Sequence, residues 1–283
     1  MADRLFVLLQ YLLPQQLLSR LVGRLARSRH DAIGKPFIRW FARRYRVDMS
    51  EAANSDPLAY ANFIDFFTRP LKPGARPLAG DSNTAVSPAD GRISQLGDIE
   101  ADQLLQAKGR HYAVQTLLGD DTEATAAFTG GQFITVYLSP RDYHRVHMPL
   151  DGTLTAMHYV PGQLFSVNDA TARHVPNLFA RNERVVCLFD TAQGPMAMVL
   201  VGAMIVAGIE TVWRGEVCPA TRQAFSINYR SKPWRLQLKR GEEMGRFKLG
   251  STVIVLFGAE AQKLAESLQA GDKVVMGQSL ATD

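Results

Sequence analysis

Phe247-Lys248-Leu249-Gly250-Ser251-Thr252 is a short polar turn, and Val253-Ile254-Val255-Leu256-Phe257 follows it without a break. The apolar run reads as a strand over 253–258. Working outward, short apolar or alternating runs recur at 92–97, 132–139, 153–160, 184–190, 196–206, 210–216, 234–239 and 273–276. Gly152, Pro161-Gly162, Gly194-Pro195, Gly241 and Gly271-Asp272 punctuate them. Ala259 to Leu268 reads as a helix with Gly271 past its end. Residues 101–128 are less regular and leave room for a short helix. Arg69-Pro70-Leu71-Lys72-Pro73-Gly74-Ala75-Arg76-Pro77 carries too many prolines for regular structure and reads as an extended connector. No tandem repeat or low-complexity segment is present. The expected class is α+β: a β-rich body, 47–283, under an N-terminal layer of amphipathic helices, 1–46.

That layer carries the charge. Of 32 Lys and Arg and 27 Asp and Glu, residues 1–46 hold ten basic groups against Asp3 and Asp31, net +8. The remainder is net −3, so the whole positive excess faces an anionic partner from one end of the chain. Leu5–Leu13 is almost wholly apolar but too short to span a bilayer, which takes about 20 helical residues. A signal peptide is the rival reading, but no small-x-small cleavage site follows Pro14. Over 15–28, Leu17, Leu18, Leu21, Val22 and Leu25 share one helical face, with Arg20, Arg24 and Arg27 opposite. A third segment, 36–46, sets Phe37, Ile38, Trp40, Phe41 and Tyr45 among Arg39, Arg43, Arg44 and Arg46. Helices of this kind lie in an anionic lipid interface. The plainer alternative is a set of core helices with a basic solvated side. Nucleic acid is disfavoured, because the segment is too apolar and no recognition motif accompanies it.

At 283 residues the chain can bury a substantial core. Cys187 and Cys218 are its two cysteines, and they form no CxxC pair, so a disulfide framework is not expected.

Three stretches could carry chemistry. Ser139-Pro140-Arg141-Asp142-Tyr143-His144-Arg145-Val146-His147-Met148-Pro149 places two histidines beside an Asp, a Tyr and two arginines after an apolar strand. An exposed loop would look the same, and a metal site lacks a third ligand at suitable spacing, so no metal is expected. Ser87-Pro88-Ala89-Asp90-Gly91-Arg92 reads by itself as a β-turn entering a strand. Leu249-Gly250-Ser251-Thr252 is neither a GxSxG elbow nor a P-loop.

Together, in this order and spacing, the three resemble the phosphatidylserine decarboxylases, pyruvoyl enzymes that cut themselves at an LGST-type motif. Further similar runs are Phe66-Phe67-Thr68-Arg69-Pro70-Leu71-Lys72-Pro73-Gly74, Pro161-Gly162-Gln163-Leu164-Phe165-Ser166-Val167-Asn168, Leu178-Phe179-Ala180-Arg181-Asn182-Glu183-Arg184 and Val201-Gly202-Ala203. The resemblance spans about residues 57–258. It implies a self-processing triad of Asp90, His147 and Ser251, with cleavage between Gly250 and Ser251 into a β chain, 1–250, and an α chain, 251–283. It implies a pyruvoyl cofactor made from Ser251, which takes the amine of phosphatidylserine as a Schiff base and leads to phosphatidylethanolamine and CO₂. His144, or His147 in its place, is the expected acid near the substrate carbon, and Arg184 and Asn182 are candidate contacts to phosphate or carboxylate. The expected location is the cytoplasmic face of an inner membrane, as a peripheral protein. A homodimer of αβ units is compatible with the resemblance, and no residue pattern establishes it. The competing readings are a Ser-His-Asp hydrolase using Ser251 intact, a lipoyl- or biotin-carrier-like β module, and a non-enzymatic membrane-surface protein.

Overall fold

The computed structural model describes residues 2–107, 109–204, 208–218 and 223–281. The chain begins with α1 (Ala2–Leu12), α2 (Gln15–Ala26) and α3 (Asp31–Tyr45), then a 3-10 turn at Pro57–Ala59 and the short α4 (Phe63–Phe67). The body follows as β1 (Gly91–Asp98), β2 (Gln103–Ala107), β3 (Arg110–Ala113), α5 (Val114–Leu117), α6 (Thr122–Ala126), β4 (Gln132–Leu138), β5 (Arg145–His147) and β6 (Gly152–Val160). Next come α7 (Asp169–His174), α8 (Leu178–Arg181), β7 (Arg184–Thr191), β8 (Gly194–Gly202), β9 (Ile209–Thr211) and β10 (Gly215–Cys218). The chain closes with β11 (Phe225–Asn228), β12 (Gln237–Leu238), β13 (Glu243–Phe247), β14 (Ser251–Phe257) and β15 (Lys273–Val274). A helical layer on a β-rich body is the expected class.

The main sheet is antiparallel, in the order β11-β6-β7-β8-β14-β4-β1-β15, with β12 also on β6. The apolar run after Gly250 is its central strand: Val253 faces Leu200 of β8 and Val136 of β4. All of β14 is buried. Val253, Val255 and Phe257 pack into one apolar cluster, Ile254 and Leu256 into the other. A strand covered on both faces needs an unbroken apolar run, which is what the sequence supplies. A second sheet, β10-β9-β13-β5, contributes Val146, Ile209, Met244 and Phe247 to the first cluster. The β2-β3 hairpin and α5, α7 and α8 contribute Leu104, Tyr112, Leu117, Ala172 and Phe179 to the second.

The helical layer packs unusually. α2 buries Ser19, Gly23 and Ala26, which recur on one face, and leaves Leu17, Leu21 and Leu25 exposed by 56, 53 and 43%. α1 buries Val7 and Gln10 and exposes Leu5, Leu8, Leu9 and Leu12. Large apolar side chains facing solvent across adjoining helices form a patch, not the scattered leucines of an ordinary surface. That disposition departs from the core-helix alternative for α1 and α2, whereas α3 conforms to it, with Arg39, Arg43 and Arg44 exposed. No described helix is long and apolar enough to cross a membrane, and α1 and α2 meet at 87°. α3 buries Ile38 and Phe41 in a third cluster with Ala26, Phe63, Ile64, Phe66, Phe67 and Leu249. The layer is thereby tied to the residue before Gly250.

Several expectations need correction. Ala259–Leu268 forms no helix. Leu264 is buried, its amide donates to the Gln132 side chain and Ala265 donates to Leu280 across the sheet edge. Its backbone bonds are spent on neighbours in space rather than on an i→i−4 ladder. The run 210–216 is a hairpin, β9 and β10, turning at Val212-Trp213-Arg214. The run 196–206 ends as a strand at Gly202, and residues 205 and 206 lie outside the described residues. α3 starts at Asp31, five residues before the expected 36, and continues through Pro36. β2, β3, β5, β11 and β13 were not anticipated.

Candidate active site

Ser251 is the first residue of β14, opposite Gly202 and Leu138. Its side chain is wholly buried and its Oγ has no hydrogen-bond partner. A buried hydroxyl without a partner costs about 1–3 kcal/mol, so it is either a defect or a group held ready. Gly250 before it has φ +34°, a backbone that other residues enter only under strain. Beyond its chain neighbours a Cβ there would meet nothing within 4 Å, so conformation rather than space calls for glycine. The turn is pinned on both sides: Phe247 N–H donates to His144 O at 3.0 Å, and Lys248 N–H to Gly208 O at 2.9 Å. Lys248 Nζ bridges Glu210 and Glu216 at 3.0 and 2.8 Å.

His144 directly precedes the short strand β5, and His147 is its last residue. His144 is fully buried, with its ring 3.9 Å from that of Phe67, which shares an apolar cluster with Leu249. His144 Nδ1 lies 2.8 Å from Asp142 O; a carbonyl only accepts, so the proton sits on Nδ1 and Nε2 keeps its lone pair. That Nε2 is buried and unpartnered. Burial pushes the His144 pKa down to about 3, so the ring is neutral. By the same logic His147 carries its proton on Nδ1, 2.8 Å from Gly241 O, and its Nε2 accepts the Tyr143 hydroxyl at 2.9 Å. Burial, the largest cause, also lowers the His147 pKa, partly offset by the hydrogen bond to Gly241 and then by Glu243 and Asp90. Desolvation raises that of Tyr143.

Asp90 sits beside this pair but is bonded elsewhere. Arg76 grips its carboxylate at 2.9 and 2.5 Å, and Met276 N–H donates to it at 2.8 Å. Glu51 holds the same guanidinium from the other side at 2.8 Å. The Asp90 turn meets β5 through His147 N–H donating to Pro88 O at 2.8 Å. Asp90 and His147 are thus neighbours whose ring and carboxylate atoms are engaged with other groups. A cavity of about 300 Å³ opens beside Asp90 and Tyr143, with Arg46, Arg69, Arg141 and Lys273 on its walls.

Arg184 and Asn182 stand apart from their expected role. Arg184 is buried and donates to the carbonyls of Leu117, Thr116, Ala180 and Asn182, and burial lowers its pKa to about 10. Asn182 is buried and joins Phe165 to Gly202. With every guanidinium and amide group spent on backbone, both brace loops instead of facing a ligand. Tyr143 and Arg76 lay within quoted stretches without being singled out, and Phe67 and Gly241 carried no chemical signal at all. Among the described residues no cluster of His, Cys, Asp and Glu is arranged to hold a metal.

Comparison with known proteins identifies the family of the chain. The profile described as phosphatidylserine decarboxylase matches residues 63–282, and one described as PSD matches residues 5–46. Proteins named phosphatidylserine decarboxylase proenzyme are similar along nearly their whole length. That of Pseudomonas putida strain F1 is 59% identical over 282 residues, 99% of this chain and 98% of its own. That of Ectopseudomonas mendocina strain ymp is 59% identical over 281 residues, with coverage of 99% and 98%. That of Shewanella sp. strain MR-4 is 56% identical over 282 residues, with coverage of 99% and 97%. The chain is therefore an enzyme by class, and it belongs to the phosphatidylserine decarboxylase family.

Proposed function

We propose that the chain cuts itself between Gly250 and Ser251 and then decarboxylates phosphatidylserine to phosphatidylethanolamine at a membrane surface. The observation that carries this reading is the buried, unpartnered Ser251 Oγ directly after a glycine in a left-handed conformation. In the cut, Oγ attacks the Gly250 carbonyl and its proton passes to His147. The peptide bond gives way to an ester, and β-elimination frees the Gly250 carboxylate. Dehydroalanine at 251 takes up water and loses ammonia, leaving a pyruvoyl group. His147 Nε2 already holds a lone pair, but the Tyr143 hydroxyl occupies it, so Tyr143 must yield before the Ser251 proton is accepted. Asp90 favours the imidazolium through its field, since its oxygens belong to Arg76 and Met276.

The fragment 251–283 has reason to stay. β14 is hydrogen-bonded between β4 and β8, and burying Val253 to Phe257 stabilises that seat by roughly 8–15 kcal/mol. A pyruvoyl group there supplies an electron sink for CO₂ loss, as pyridoxal phosphate does elsewhere. His144, whose Nε2 is buried and unpartnered, is the residue assigned to proton transfer at the carbon that loses CO₂. Leu17, Leu21 and Leu25 with the N-terminal arginines fit an anionic bilayer surface, in keeping with a peripheral position on the cytoplasmic face of an inner membrane.

The test uses phosphatidylserine vesicles. The wild-type chain should release CO₂ and lose that activity to phenylhydrazine, which traps ketones. Ser251→Ala should release none. Activity that survives phenylhydrazine, or that persists in Ser251→Ala, defeats the proposal. A processed His144→Ala enzyme with an undiminished rate would remove His144 from the chemistry.

A further inference from the structure

We infer that Gln10 and Gln15 are positioning residues for the reaction at Ser251, acting through the loop Gly162–Ser166; this rests on the reading of Ser251 as the reacting residue. α1 has two unlike faces. Its leucines point to solvent, whereas Gln10 is only 2% exposed. Gln10 Oε1 accepts the Ser166 amide at 2.8 Å and the Ser166 hydroxyl at 3.1 Å. At the start of α2, Gln15 Oε1 accepts the Leu164 amide at 2.8 Å, and its Nε2 returns to the Gln10 carbonyl at 2.7 Å. The two glutamines are one unit, spanning the bend between the helices.

The loop they hold has no backbone ladder through its middle. The amides of Leu164, Phe165 and Ser166 donate to Gln15, Asn182 and Gln10 respectively, all side chains. The Phe165 ring is buried and meets Tyr11 of α1 edge-on at 4.8 Å, and Arg181 covers both rings. Asn182 then carries the connection inward. Its Nδ2 donates to Phe165 O at 2.8 Å and to Gly202 O at 2.9 Å, and Gly202 is the β8 partner of Ser251. Burying an amide side chain is costly unless its hydrogen bonds are made; Gln10 makes two at Oε1, while its buried Nε2 has no partner, so the side chain is kept for the acceptor oxygen. A helix whose only task was to anchor would place an aliphatic residue at position 10. The inner side of the two helices instead holds two loop amides, Ser166 through Gln10 and Leu164 through Gln15, one strand away from the serine. The lipid-facing helices therefore form the far support of the reaction site as well as its attachment to the bilayer.

The experiment compares the full-length processed chain with a Gln10→Met, Gln15→Met double variant. Neither substitution touches the outward leucines, so flotation with anionic phosphatidylglycerol vesicles should be unchanged. Hydrogen exchange at the Leu164 and Ser166 amides should accelerate. Turnover of detergent-dispersed phosphatidylserine should fall at least about tenfold in kcat with little change in KM, as expected when a reacting group is slightly misplaced. Gln10→Glu, which keeps the acceptor oxygen, should retain more turnover than Gln10→Met. Unchanged amide exchange, unchanged kcat, or loss of vesicle flotation in step with kcat would each overturn the assignment. The exchange readout needs no catalysis, so failure of this inference is distinguishable from failure of the decarboxylase reading.

Discussion

β14 and α2 are both apolar segments, and they place their large side chains in opposite ways. β14 buries every residue between two strands and two apolar clusters. α2 turns its small residues inward and its leucines outward. Large apolar side chains thus sit in two settings: those of β14 hold the sheet together, and those of α2 stay exposed. Composition alone does not distinguish the two; burial does.

The comparison can be broken by substitution. Ile254→Ala in the centre of β14 should cost about 2–5 kcal/mol, because it opens a cavity where both neighbouring strands are fixed. Denaturant unfolding of the Ser251→Ala chain measures this without the complication of cleavage. Replacing Leu17, Leu21 and Leu25 together by serine should leave that unfolding midpoint nearly unchanged. It should reduce partitioning onto anionic vesicles by at least tenfold, since each inserted leucine is worth about 1.5–3 kcal/mol. A large fall in stability with intact partitioning would reverse the roles assigned to the two segments.

A smaller effect concerns pH. His144 is neutral in the fold because burial lowers its pKa to about 3. In the unfolded chain it takes up a proton near pH 6.5, so the unfolded state binds more protons below that pH. Stability should therefore fall as pH drops from about 6.5 towards 3, with a slope of about 1.4 kcal/mol per unit from this one group. His144→Gln in the uncut Ser251→Ala background should flatten that slope. Equal slopes in the two chains would mean that His144 is not held neutral by the fold.

The fold was legible where side-chain period and burial coincide. The strands along 92–97, 132–139, 153–160 and 184–190 and the central run after Gly250 lie within a residue or two of their expected bounds. β13 was missed because Glu243 and Arg246 make it look polar; Met244 and Phe247 fill the core while the charges pair at its edge. Ala259–Leu268 was misread because helical spacing of apolar residues also suits an irregular strap that buries Leu264 and packs Ala261 and Leu268 partly against the same cluster. The histidine stretch and the Gly-Ser turn were legible as chemical types. Their partners were not: Gly241 O, Met276 N and Gly202 O are backbone atoms, and nothing in a side-chain alphabet marks them. Arg184 and Asn182 looked like ligand contacts for the converse reason, since a polar side chain that braces backbone is spelled the same as one that faces solvent.

The central claim is that the chain makes its own reactive group at Ser251. Intact-mass spectrometry of the purified protein beside Ser251→Ala tests it most directly. The account predicts two wild-type chains, 1–250 and a 33-residue fragment, 251–283, that bears a pyruvoyl mass in place of an amino terminus. It predicts one unbroken chain for the variant. A single full-length mass in both samples, from protein active on phosphatidylserine, would contradict it.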